Sequence, residues 1–189
     1  MFDWIYGRRD DRQKASEIYG AVVAQARNPE FYTSYAVPDS IEGRYEMIAL
    51  HLAIVLERLG APDVADEELR RSLVETFVTA MDDAMRELGV GDTSVVRNVK
   101  KAAGGLYERG LDYRAALATI DDPSALASVV ARHVYSSHVA APAEGIATVA
   151  AELATYTRRL ADHLAGLSAD RLRLGDLSFP DARIGGRGT

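Results

Sequence analysis

Carboxylates and histidines are the side chains from which this sequence could build a catalytic or metal centre, and their spacing argues against one. Two ligands from one helix must project from the same face, as in the Glu-x-x-His pairs of helical di-iron proteins. Glu46 and His51 are five positions apart and lie well round a helix from one another, while His133 and His138 straddle an expected helix end. Asp82-Asp83 and Asp121-Asp122 pair carboxylates, but acid–base catalysis asks for a buried or polarised pair, and these fall on polar turns or at caps. No G-x-S-x-G, G-x-G-x-x-G or P-loop pattern occurs, and Gly104-Gly105 inside a helical pattern reads as a close helix contact. The expectation is a protein with no catalytic residue, no metal and no cofactor of its own.

Composition narrows the rest. The chain has no cysteine, which excludes disulfides, thiolate-held zinc or iron–sulfur clusters and a thiol nucleophile. Its net charge of −6 argues against nucleic acid as a partner, since sequence-independent binding of phosphates wants a basic patch. Met1 to Tyr6 runs at once into Arg8, Arg9, Asp10, Asp11 and Arg12, unlike the apolar core of a secretory signal. The densest apolar run, Met47 to Leu56, falls short of the roughly 20 residues that span a bilayer. A cytoplasmic protein is expected.

The elements that would position any site read as helices throughout, because apolar residues recur at steps of three and four and no run alternates with period two. An all-α, single-domain bundle of about seven or eight helices is expected over residues 12–182, with an aromatic and basic segment over 1–11 and a frayed glycine-rich tail over 183–189. The first helix is expected over Arg12 to Arg27, and a short second one is opened by Asn28 as cap and Pro29. The third spans Ser40 to Leu59 and is closed by Gly60. The fourth spans Asp63 to Leu88, with an inward row of Leu69, Leu73, Phe77, Met81, Met85 and Leu88. Gly89-Val90-Gly91 turns it into a fifth, capped by Asp92 or Thr93 and ended by Gly110. Shorter helices are expected over Asp112 to Thr119 and Pro123 to Val134, and a long Ala-rich one over Ala143 to Leu167.

Three blocks carry a resemblance: Val37 to Leu59, V-P-D-S-I-E-G-R-Y-E-M-I-A-L-H-L-A-I-V-L-E-R-L; Phe77 to Asp92, F-V-T-A-M-D-D-A-M-R-E-L-G-V-G-D; and Val95 to Lys101, V-V-R-N-V-K-K, continued by Leu106-Tyr107-Glu108-Arg109 and Tyr113-Arg114-Ala115-Ala116-Leu117. Together they resemble the ubiquinol-cytochrome c chaperone family in its short bacterial form, and the likeness extends to Tyr19–Arg27 and Leu177–Pro180. Val96-Arg97 stands where the family has a Gly-Lys pair, and Leu106-Tyr107-Glu108-Arg109 where it has Phe-Tyr-Gly-Arg. The resemblance implies an assembly chaperone that receives newly made cytochrome b and supports its maturation into the cytochrome bc1 complex, without turnover.

The client-binding residues expected on that reading are Arg44, His51, Asp82, Asp83, Arg86, Gly89, Gly91, Asp92, Lys100 and Tyr107. Arg44 and His51 share one edge of the third helix, where they form either a polar rim for the client or a boundary histidine beside an arginine paired with the fourth helix. Asp82 and Arg86 are one turn apart and form an exposed pair. Phe2, Trp4, Arg8 and Arg9 combine aromatics with cations and either touch an anionic membrane or cover the core. Two rival classes stay open: a helical haem- or small-molecule-handling enzyme, with His51 as haem ligand, and an interaction scaffold for an unrelated membrane complex.

Overall fold

The structure, a computed structural model, describes residues 3–136 and 143–183. Among the described residues it has eight helices and no strand, so the all-α expectation is met. The tail beyond Arg183, and His138 with the turn around it, lie outside the described residues.

α1 (Asp3–Ala26) begins well before the expected Arg12 and buries Ala15, Ile18, Val22 and Ala26 at helical steps. It stops where Asn28 caps α2 (Pro29–Thr33) by accepting from the Glu30 amide at 3.0 Å. The Tyr32 hydroxyl reaches back to donate to the Ala26 carbonyl at 2.8 Å, satisfying an acceptor that the end of α1 leaves open. Ser40 then caps α3 (Ile41–Leu59) through the Gly43 amide at 3.1 Å. A Cβ on Gly43 would stand 1.9 Å from the Pro38 carbonyl oxygen, so only glycine lets the chain fold back there.

α3 is the axis of the molecule. Its stretch from Met47 to Val55 is buried on every side, because α1, α4, α5, α6 and α7 all pack on it. Burying each large aliphatic there contributes about 1.5–3 kcal/mol relative to exposure. Gly60 does close α3, but with right-handed backbone; its missing side chain makes room for Arg70, whose Nε donates to the Leu56 carbonyl at 3.0 Å.

α4 (Glu67–Glu87) starts later than expected, at the Asp66 cap, and lays Leu69, Leu73 and Phe77 on α1 and α3, whereas Leu88, expected on the same row, is the residue that ends the helix and is exposed past its packed turns. Gly89, at φ 76°, turns the chain into α5 (Asp92–Ala118). The expected break at Gly110 is absent. α5 runs through Gly104, Gly105 and Gly110 because Leu106, Tyr113 and Ala116 keep its inner face on the core, which outweighs about 1 kcal/mol per exposed glycine. α6 (Pro123–Val134) packs along α7 (Ala143–Ala165). A short helix not foreseen, α8 (Ala169–Arg173), leads into an extended strap that ends with Ala182 buried.

Candidate functional site

His51 sits at the centre of α3 with 0% exposure, not on an edge. Its Nδ1 lies 2.7 Å from the Met47 carbonyl, which can only accept, so Nδ1 carries the proton. Nε2 therefore accepts from the Tyr156 hydroxyl at 2.8 Å, and that oxygen in turn accepts from Gln25 Nε2 at 3.0 Å. Gln25 also donates to the Pro180 carbonyl at 3.1 Å, tying α1, α3, α7 and the strap to one polar core. Phe31, Tyr156 and Phe179 surround the ring at 5.4–5.9 Å between centroids. Burial lowers the pKa of His51 to about 4 and raises that of Tyr156, so the pair stays neutral. Both ring nitrogens are engaged, which leaves His51 no lone pair for a haem.

Arg44 is exposed in the first turn of α3 and pairs with Asp39 at 2.6 Å. It does not reach the fourth helix, and it does not join His51. The helical arithmetic put both on one edge, but that edge is open at Arg44 in the first turn of α3 and is covered at His51 by Tyr156 of α7.

At the corner between α4 and α5, Arg86 donates to Asp82 at 2.6 Å and to Asp92 at 2.5 Å. Gly91, not Asp92, is the cap residue of α5, and it makes no side-chain cap bond; Asp92 stands in the first turn and is held by Arg86. Gly89 closes a left-handed end to α4, with its amide on the Arg86 carbonyl at 2.9 Å and the Val90 amide on that of Met85 at 3.1 Å. A Cβ on Gly91 would meet nothing within 4 Å, and its φ is −64°, so this position makes no demand for glycine. Asp83 is exposed beside Asp82, and Lys100 is exposed about two turns further along α5. Gly105 does make the expected close contact, with the Tyr45 hydroxyl 3.3 Å from a Cβ there, whereas Gly104 faces open space.

Tyr107 belongs to a second feature, a groove of about 390 Å³ between α3, α4 and α5. Ala53 and Leu56 form its α3 side, Val74 comes from α4, and Ala103, Leu106, Tyr107 and Leu111 come from α5. Its charged residues are paired among themselves: Arg70 with Glu67 at 2.6 Å, Arg71 with Glu75 at 3.0 Å and Arg114 with Glu57 at 2.5 Å. Such a groove offers apolar surface inside a ring of closed ion pairs. Beneath α5, Arg109 forks onto Glu46 and lies 5.4 Å over the Tyr45 ring. Burial opposes the guanidinium's charge, yet the carboxylate holds its pKa above the ordinary value.

The expected residues thus fall into three places: His51 in the core, the Asp82–Arg86–Asp92 corner, and Tyr107 in the groove, with Arg44 apart. Phe2 and the side chains of Trp4, Arg8 and Arg9 lie outside the described residues. Sequence reasoning missed Leu56, Val74, Leu111 and Arg114. For Leu111 the signal is a second apolar stripe on α5, Val96, Ala103, Tyr107 and Leu111, beside the inward one of Val95, Ala102, Leu106 and Tyr113. No group of three or more potential ligands among the described residues could hold a metal ion, and no described helix is long and apolar enough to cross a membrane.

A helical body with a sealed polar centre and an apolar groove open on one flank has the architecture of a helical binding protein. The family model for the ubiquinol-cytochrome C chaperone matches residues 33–179, and the chain belongs to that family. The crystal structure of the Cbp3 homolog from Brucella abortus is similar to it over 96% of this chain and 98% of that one, at 31% identity and a TM-score of 0.79. No curated protein matches the chain.

Proposed function

We propose that this chaperone binds newly made cytochrome b at the cytoplasmic side of the inner membrane and supports its maturation into the cytochrome bc1 complex, holding an apolar segment of the client in the groove between α3, α4 and α5. The observation that carries this reading is the family match over residues 33–179, which encloses every residue of the groove. The chemistry agrees. A segment awaiting insertion exposes apolar surface that water penalises, and a groove with Leu56, Val74 and Leu111 on its walls shields it without a reaction. The corner of Asp82, Asp83 and Asp92 adds negative charge suited to basic residues that border a membrane segment on its cytoplasmic side.

A photo-crosslinking residue placed at Leu111 tests the reading in cells making cytochrome b. Crosslinks to cytochrome b from position 111, with none from the exposed Ile120 outside the groove, are the expected result. Crosslinks from position 120 alone would place the client elsewhere.

A further inference from the structure

α5 presents an outward face that the core does not use and that meets the groove only at its far rim, Tyr107 and Leu111. At about 100° per residue, Arg97, Lys100, Lys101, Gly104, Tyr107 and Leu111 fall within an arc of about 120°. Val96 is 53% exposed, Tyr107 70% and Leu111 44%, a high value for apolar and aromatic side chains on one helix. Arg97, Lys100 and Lys101 carry no ion pair among the described residues. Glu108 is the acid within the arc; Asp92 lies to its side and is held by Arg86, and Glu57 is held by Arg114. A chain of net charge −6 therefore concentrates three free cations on one helical face, interleaved with apolar groups.

We propose that this face docks on a bilayer containing anionic phospholipid. Cations beside exposed aromatic and aliphatic groups match the headgroup boundary, where phosphates meet the ammonium and guanidinium groups and the apolar side chains leave water. RNA fits less well: three cations are few for neutralising a polyphosphate, and beside the single ring of Tyr107 the aliphatic Val96 and Leu111 offer a nucleotide neither a stacking plane nor a hydrogen bond. Gly104, with nothing within 4 Å of a Cβ, leaves the middle of the face flat enough for close approach. The three cations together account for an affinity gain on the order of 100-fold at low salt.

The test is co-sedimentation of the full chain with phosphatidylcholine vesicles, with and without phosphatidylglycerol. No client is present and none of the substituted residues lines the groove, so the outcome bears on this face and not on client binding. Binding that requires phosphatidylglycerol, weakens with salt, and falls on the order of 100-fold in R97Q/K100Q/K101Q and severalfold in V96S, with circular dichroism and melting unchanged, is the expected result. The idea is overturned if the wild-type chain ignores phosphatidylglycerol, if the triple variant binds as well as wild type while F2S/W4S does not, or if polyuridylate is bound in preference to the vesicles.

Discussion

The Tyr156 hydroxyl is held from two sides, donating to His51 and accepting from Gln25, so its removal leaves the buried His51 Nε2 without a donor and the half-buried Gln25 amide with one acceptor fewer. Tyr156→Phe should cost about 1–3 kcal/mol in urea denaturation, far more than loss of one exposed hydroxyl. The same network makes stability depend on pH. The folded pKa of His51, about 4, lies below its ordinary 6.5, so the unfolded chain takes up the proton first as pH falls. Stability is therefore full above about 6.5 and is lost between 6.5 and about 4, by at most about 3 kcal/mol. Unfolding curves measured across that window should show the loss in wild type and much less of it in His51→Gln; parallel curves would mean that other groups dominate. This centre was only half legible in the sequence. Period counting gave the inner side of α3, but His51 was read as an edge residue because its partner, Tyr156, comes more than a hundred positions later on α7.

Helix ends decide how these elements meet. Three of them are closed by arginines from elsewhere in the chain: Arg70 on the end of α3, Arg58 on the Leu164 carbonyl of α7 and the Leu167 carbonyl just beyond it, each at 3.0 Å, and Arg158 on the Leu117 carbonyl of α5 at 2.5 Å. A guanidinium there satisfies open carbonyls and lies at the negative end of the helix dipole. Arg58 is nearly buried and also forks onto Asp63 at 2.7 and 2.8 Å, so Arg58→Lys should lose about 1–2 kcal/mol in chemical denaturation by keeping the charge without the fork. The corner gives a sharper contrast. Gly89→Ala must hold an alanine at φ 76° and should cost about 1 kcal/mol, whereas Gly91→Ala, at φ −64° with open space around it, should be neutral or stabilising by up to about 1 kcal/mol. Equal melting shifts in the two would contradict the backbone argument. Caps and glycines announced most of the boundaries, since Asn28, Ser40 and Gly89 act locally. Gly110 misled because an intrinsic helix penalty was set against tertiary packing that the sequence does not display, and α8 was too short to produce a period.

Over the whole molecule, α3 is buried along its middle, and the apolar groove lies where its neighbours α4 and α5 meet above Ala53 and Leu56. The sequence made the helical class and the inward stripes plain, and the resemblance to the chaperone family was visible in ordered blocks. The groove was not, because it is a property of three helices together and its charged residues look, one at a time, like a solvated surface. Leu111 gives the cleanest way to test its function. The side chain is 44% exposed, so a carboxylate there keeps most of its hydration and Leu111→Asp should change stability by no more than about 1 kcal/mol. In the groove that charge would lie against apolar client surface and lose its water on binding, a cost of several kcal/mol with no free cation on the groove's walls to meet it, since Arg70, Arg71 and Arg114 are already paired. Membranes from cells carrying Leu111→Asp as their only copy should therefore show a b-type haem difference spectrum close to that of cells lacking the protein. Ile120→Asp, 81% exposed and outside the groove, should leave the spectrum as in wild type. A normal haem signal with Leu111→Asp, at wild-type protein level, would remove the groove from the client pathway while leaving the fold and the family membership untouched.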